Sequence, residues 1–466
     1  MKERKQKIFE PTKTCPQKDR TESEGYVGGQ TFMWITENNL TSNNLGLLEN
    51  ILSPSNLNAA YKQVMRNKGA GGFDRMEVGS LKDYLVNKKE ELLTSIQKGK
   101  YRPNPVRRVE IPKENGKQRQ LGIPTVVDRV IQQSIAQQLS PIYEPKFSTN
   151  SFGFRPKRDA HQALCRCQEY ITEGYIYAVD IDIERFFDTV IHSKLIEVLS
   201  TRIKDGRVIS LIHKYLNAGV MKEGKYEATI EGVPQGGPLS PLLSNILLNE
   251  LDKELERREH KFVRYADDMV IFCKSRRSAE RTMKNIIFYI EKKLFLKVNG
   301  DKSQVAQVRN IKFLGYSFYI IKGRGRLRIH PNSAEKMKAK IKKLTSRSNG
   351  WGNDRRKEAL SQYIKGWVQY FKLADMKELL EKIDEWYRRR LRMVIWKQWK
   401  YIKTKIANLV KLGINKYKAY EWANTRKSYW HIANSFILSR TITTVRLKKA
   451  GYIFLSDYYQ KVRVAY

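Results

Sequence analysis

The eleven residues FVRYADDMVIF, 262–272, leave the chain little freedom. Two short runs rich in Phe, Val, Tyr and Ile read as strands, and too few residues separate them for anything but a hairpin. Asp267 and Asp268 then stand side by side near its tip. Taken alone, that is also what a plain exposed turn looks like, because Asp bonds its own backbone there. A sharper reading needs a third acid brought to the same place.

YAVDIDIERFFDTV, 177–190, offers one. Val179, Ile181 and Ile183 alternate with Asp180 and Asp182, so a strand here presents both acids on one face. A solvated edge strand fits that pattern equally well. Clustered carboxylates, however, repel one another and stay ionised only beside a cation. Hard oxygen donors of this kind suit Mg²⁺. Two such ions about 4 Å apart stabilise the attacking and leaving oxygens of a phosphoryl displacement.

Charge narrows the choice of partner. Lys and Arg number 88 against 48 Asp and Glu, a net charge of +40 spread along all 466 residues. A surplus of that size calls for a polyanion, and nucleic acid is the commonest. No apolar run is long enough to span a membrane, and the first twenty residues lack the apolar core of a secretory signal. Cys15, Cys165, Cys167 and Cys273 contain no C-x-x-C pair, so neither a zinc site nor a disulfide framework is indicated. The cytoplasm is the expected location.

Along the chain, residues 1–45 are polar and weakly periodic, and read as an extension with little structure of its own. A helix is expected over LLENILSPSNLNAAYKQVMR, ending at the glycine-rich NKGAGG, which lacks the Lys-Ser/Thr of a phosphate-binding P-loop. Short β-rich runs alternate with helical stretches to about residue 330, an α+β body. Residues 331–466 hold 32 Lys/Arg against 10 Asp/Glu and seven of the eight tryptophans, predicting a basic helical domain. In EKIDEWYRRRLRMVIWKQWKYIK, Ile383, Trp386, Tyr387, Leu391, Val394, Ile395 and Ile402 fall mostly on one helical face, with Arg390 breaking the apolar stripe.

Seven blocks in order then carry a resemblance. They are RRVEIPKENGKQRQLGIPTVVDRVIQQ, SFGFRPKRDAHQAL, VDIDIERFFDTV, EGVPQGGPLSPLLSNILLNELD, RYADDMVIF, LKVNGDKSQV and IKFLGYSF. Together they resemble the bacterial group II intron-encoded reverse transcriptase/maturase family; QYIKGWVQYFKLAD and WANTRKSYWHIA are similar to its thumb-like maturase domain. The resemblance implies a right-hand polymerase: fingers and palm over 46–330, with an antiparallel sheet, then an α-helical thumb/maturase domain over 331–466. It implies RNA-directed DNA synthesis from dNTPs on an RNA template with a DNA primer, and binding of group II intron RNA for splicing and retrohoming into target DNA. A domesticated polymerase in phage defence or CRISPR adaptation, or a splicing-only RNA chaperone, are the alternatives. Without a Cys-rich segment after the maturase blocks, the chain looks like the endonuclease-lacking type.

Residue by residue, the resemblance implies two Mg²⁺ ions on Asp182, Asp267 and Asp268, with the Ile183 carbonyl as a further ligand and Asp180 a poorer candidate. Phe187 would be the gate against a 2′-hydroxyl, though a core Phe beside Phe186 is the plainer reading. Lys113, Arg119, Gln235, Gly236 and Lys302 would surround the incoming triphosphate, and Arg155 would reach template or triphosphate phosphate. Arg388, Arg389, Arg392 and Lys400 form the expected RNA-facing charge, and Trp396, off the main apolar face, is the expected stacking ring.

Overall fold

The structure, a computed structural model, describes residues 46–112 and 118–464. The expected N-terminal extension and Lys113 lie outside the described residues. The described chain divides into two compact units, one of residues 46–330 together with Leu373–Asp375, the other of the remaining residues from 331 onward.

The first unit is built on a four-stranded antiparallel sheet. Its strands are β3 (Tyr177–Ile181), β6 (Lys261–Tyr265), β7 (Asp268–Cys273) and β8 (Gln304–Gln307), in the order β6-β7-β3-β8. After its first residue β7 is buried at every position, the unbroken apolar run of a strand covered on both faces. Helices Ala160–Thr172, Ser240–Arg257 and Arg276–Lys293 pack on this sheet. A second sheet orders β1 (Val106–Pro112), β2 (Gln118–Ile123), β4 (Val220–Lys222) and β5 (Lys225–Glu227) as β2-β1-β4-β5, with β1 and β4 parallel. A third orders β9 (Lys312–Phe313), β10 (Tyr316–Ile321) and β11 (Arg324–Ile329) as β11-β10-β9.

Two local expectations change. The first helix is two, Leu47–Leu52 and Pro54–Asn67, because Pro54 lacks an N–H and starts a new first turn. The glycine loop that follows is a packing device. A Cβ on Gly72 would stand 2.7 Å from the Thr125 Cα, and Arg129 donates a hydrogen bond to the Ala70 carbonyl.

In the second unit the long helix Lys377–Gln398 buries Ile383, Tyr387, Leu391 and Val394 of the expected stripe and leaves Trp386 and Ile395 half-buried. It ends at Gln398, and Ile402 opens a separate helix, Ile402–Lys411. Arg390 sits in the stripe because its guanidinium donates to the Thr345 hydroxyl and to the carbonyls of Lys342 and Thr345, tying the helix to Pro331–Leu344.

Three expected RNA contacts are corrected here. Trp396 is 1% exposed, set edge-on to Trp399 with Lys405 over its ring. The helix is wrapped on more than one side, so a ring off the main stripe is still enclosed. Arg389 donates to the Trp430 carbonyl and lies 3.9 Å over that ring, while Arg392 donates to the Ile442 carbonyl and the Ser439 hydroxyl. Both guanidinium groups fasten this helix to the C-terminal helices. Lys400 is exposed and stands over Tyr401; Arg388 is half-buried beside Asp384.

Candidate active site

Sheet register assembles the carboxylates. Strand β3 pairs antiparallel with β7 from Tyr177↔Cys273 to Ile181↔Met269. Asp182 directly follows the last paired residue of β3 and Asp268 directly precedes its partner Met269, so both acids stand at the same end of the paired strands, and the Asp182 charge acts on Asp268. Tyr265 pairs with Asp268 between β6 and β7, so Ala266 and Asp267 form the hairpin turn. Three acids from two distant segments thus share one end of the sheet, with Asp180 two residues back along β3.

Electrostatics bear the marks of that crowding. Asp268 keeps part of its surface in solvent, yet surrounding protein and then the charges of Asp267, Asp180 and Asp182 push its carboxyl up to about 7. Asp180 is raised to about 6, mainly by burial, with Asp182 adding to the shift and a Gln304 hydrogen bond opposing it. Asp182 finds one counter-charge: Lys302 Nζ lies 3.0 Å from its Oδ2. The Asp182 backbone is held as well, its N–H donating to Ser303 Oγ at 3.1 Å and its carbonyl accepting from Asn299 N at 2.8 Å. Ile183, buried, bridges to Val298. The NGDKS segment therefore clamps the Asp182 segment to the sheet end.

The hairpin turn is braced from beneath by residues that the sequence reading did not single out. Ala266 has φ +58°, a left-handed conformation that costs a non-glycine residue about 1–2 kcal/mol. Buried Arg264 holds it there: Nη1 donates to the Ala266 carbonyl and to Asn245 Oδ1, each at 2.9 Å. Its Nε and Nη2 donate to the two Asp252 oxygens at 2.7 and 2.5 Å. Asn245 and Asp252 are seven apart on helix Ser240–Arg257, hence on one face. Asn245 Nδ2 also donates to the Gly153 carbonyl, and a Cβ on Gly153 would come within 2.2 Å of the Ala266 nitrogen. A usable signal did exist. Arg264 interrupts an apolar strand.

The remaining expected site residues fall into three groups. Lys302 joins the acids, as above. Gln235 and Gly236 pack against β2: the Gln235 carbonyl accepts from Gly122 N at 2.7 Å, and Gly236 has φ +124° with room for no Cβ, since one would stand 2.6 Å from the Gly122 carbonyl. The neighbour that requires a glycine here is thus the β2 backbone. Phe187 is 4% exposed and edge-on to Phe186, with its carbonyl accepting from Val233 N at 2.6 Å. Arg119 lies in β2 opposite Ile111.

Arg155 belongs elsewhere, a correction to its expected phosphate contact. It is buried in a 2.7 Å ion pair with Glu144 and donates to the Ser148 and Ser151 carbonyls. With charge neutralised and donors occupied inside the fold, it organises the SFGFRPKR segment.

Residues 111–318 match the family model described as reverse transcriptase (RNA-dependent DNA polymerase), and residues 334–413 match that of the group II intron, maturase-specific domain. The chain is 33% identical over 311 residues to Protein YkfC of Escherichia coli (strain K12), covering 58% of this chain and 82% of that protein. It is 30% identical over 361 residues to the group II intron-encoded protein LtrA of Lactococcus lactis subsp. cremoris, covering 63% of this chain and 58% of LtrA. A solved telomerase from Candida albicans, in complex with a fragment of telomeric RNA, aligns with a TM-score of 0.40 and 12% identity over 72% of this chain and 68% of that one. No helix among the described residues is long and apolar enough to cross a membrane.

Proposed function

Because the chain belongs to the group II intron-encoded reverse transcriptase/maturase family, a family of RNA-directed DNA polymerases, we propose that it extends DNA 3′ ends on an RNA template from dNTPs with two Mg²⁺ ions. In the same reading, the second unit grips group II intron RNA, aiding its splicing and its retrohoming into target DNA. What supports the polymerase reading is that the β3–β7 and β6–β7 registers bring the end of β3, with Asp182 next in the chain, to the same sheet end as Asp268 and the turn bearing Asp267.

The donor set suits the metal. Its side-chain donors are all carboxylate oxygens, the hard ligands Mg²⁺ prefers. Burial, and after it the charges of Asp267, Asp180 and Asp182, raises the Asp268 carboxyl, and a bound cation would oppose both. Among the described residues no three Asp, Glu, His or Cys side chains are arranged to hold an ion as they stand, and the Asp182 carboxylate is turned onto Lys302. Asp182, Asp267 and Asp268, with the Ile183 carbonyl, are the groups that would hold the two ions. Bound there, Mg²⁺ would activate the primer hydroxyl and neutralise charge on the transferring phosphate.

The chain's own groups do the rest. Lys302, mostly solvent-exposed beside Asp182, is placed to offset charge on the departing pyrophosphate. The Gly236 backbone, held against β2, and Gln235 border the nucleotide. Lys113 and Arg119 supply cations for its phosphates, and Phe187 limits the room for a 2′-hydroxyl. Arg264 holds the acidic turn without touching substrate.

The test is primer extension by the purified full chain on an RNA template, with Mg²⁺ and dNTPs. Wild type should add nucleotides, and Asp267→Ala with Asp268→Ala should abolish addition while leaving thermal stability no lower. Undiminished extension by that double variant would overturn the assignment.

A further inference from the structure

With Trp396 enclosed, the most exposed rings among the described residues of the second unit are Tyr401, Tyr417, Tyr420 and Phe436, and two of them share one short helix. Helix Lys416–Ala423, KYKAYEWA, turns Ala419 and Ala423 inward and leaves Tyr417 81% and Tyr420 63% exposed. Three residues apart, the two rings share one helical face with Cβ atoms about 5–6 Å apart. An Asn415 side chain caps the helix by accepting from Tyr417 N at 2.9 Å, so the first ring stands on a fixed turn. This helix packs on Ile402–Lys411, and the stretch 400–427 holds eight Lys/Arg against one acid, Glu421. Lys416 and Lys418 flank Tyr417 and are exposed.

We infer that the exposed face of helix Lys416–Ala423 is a docking surface for an unpaired stretch of RNA, with bases stacked on Tyr417 and Tyr420 and phosphates on Lys416 and Lys418. The inference rests on the maturase reading for its choice of RNA, and deepens it by naming a surface beyond the residues that match the maturase-specific family model. Aromatic rings offered to solvent between cations are the physical recipe for single-strand binding: every base has a face to stack, and charge tracks the backbone. A protein partner would favour apolar side chains with fewer uncompensated cations at the centre of the patch. Duplex RNA hides its base faces and would gain only the electrostatic part.

Fluorescence anisotropy with the full chain distinguishes these, using an unstructured 20-nucleotide RNA, the same sequence as DNA, and the same sequence as an RNA duplex. Tyr417→Ala with Tyr420→Ala should weaken the single-stranded RNA ten- to a hundred-fold, change the duplex less than two-fold, and leave the salt slope unaltered. The Phe variants at both positions should bind as wild type. Lys416→Ala with Lys418→Ala should make the slope of log affinity against log salt shallower by about 1.4. RNA carrying 5-iodouridine should crosslink to Tyr417 or Tyr420 under light. Unchanged affinity in the double Ala variant, or crosslinks confined to other residues, would overturn the inference while leaving primer extension and the maturase reading intact. A larger loss on the DNA strand than on RNA would overturn the assignment to RNA. Wild type with no measurable RNA affinity would remove the maturase reading and this surface together.

Discussion

Replacing Arg264 separates the support of the catalytic turn from its chemistry. Its side chain is 1% exposed and that of its partner Asp252 is fully buried. Arg264→Met alone leaves a carboxylate buried without a counter-charge, a loss of about 3–5 kcal/mol. That variant should unfold early, and its inactivity would say little. Arg264→Met with Asp252→Leu removes both charges and fills the space with apolar atoms, an exchange that is often neutral or stabilising. What remains lost is the charge-assisted bond to the Ala266 carbonyl, about 1.5–3 kcal/mol, and a partner for Asn245 Oδ1. Ala266 holds a conformation costing about 1–2 kcal/mol, so without that bond the turn has reason to relax. A shift of about 1 Å in catalytic groups costs about a hundred-fold in rate. The double variant should therefore melt within a few degrees of wild type and bind primer–template normally. Its single-turnover extension rate should fall by about two decades. Thermal unfolding by circular dichroism and rapid-quench extension measure the two quantities. Wild-type rates in a folded double variant would refute the bracing argument, and so would a stable, active Arg264→Met.

Asp268→Asn should stabilise the protein at pH 8 and have no effect near pH 4. The folded carboxyl titrates at about 7 against an ordinary value of 3.8, so the folded state holds a proton that the unfolded state has released. Stability then declines as pH rises between those values, and the asparagine escapes the decline; a lower melting temperature for Asp268→Asn at pH 8 would contradict this sign. Lys302→Met frees Asp182 from its 3.0 Å counter-ion, so half-saturating Mg²⁺ should fall while the maximal extension rate also falls; a rise in the Mg²⁺ requirement, read from extension titrations, would show that Lys302 does not compete for the carboxylate. Trp396→Ala should cost about 3–5 kcal/mol in chemical denaturation, the penalty for emptying a core aromatic site, with RNA affinity lost only as the fold is lost. Selective loss of RNA binding in a stable Trp396→Ala protein would reinstate that ring as a contact.

The local code was enough for the parts whose chemistry and period are written in adjacent residues. Alternation through YAVDIDI and the apolar runs around Ala266–Asp267 specify strands and a hairpin. The shift to 32 cations against 10 acids after residue 331 separates a basic helical region from the α+β body. Those patterns mark Asp180, Asp182, Asp267 and Asp268 as acids on or beside apolar strands, and it is the resemblance to the family that singles out Asp182, Asp267 and Asp268. Only tertiary packing decided which charged and aromatic groups face outward. Arg155, Arg389 and Arg392 look like phosphate contacts as letters, yet each spends its donors on carbonyls or an acid within the fold. Arg264 looks like one more surface cation and is the buried brace of the turn. Trp396, expected to face outward, is enclosed, because burial depends on which helices cover a face. Arg389 and Arg392 find their partners 41 to 50 residues away, and even the nearer partners of Arg155 and Arg264 lie on other elements or loops, so no short-range periodicity encodes them.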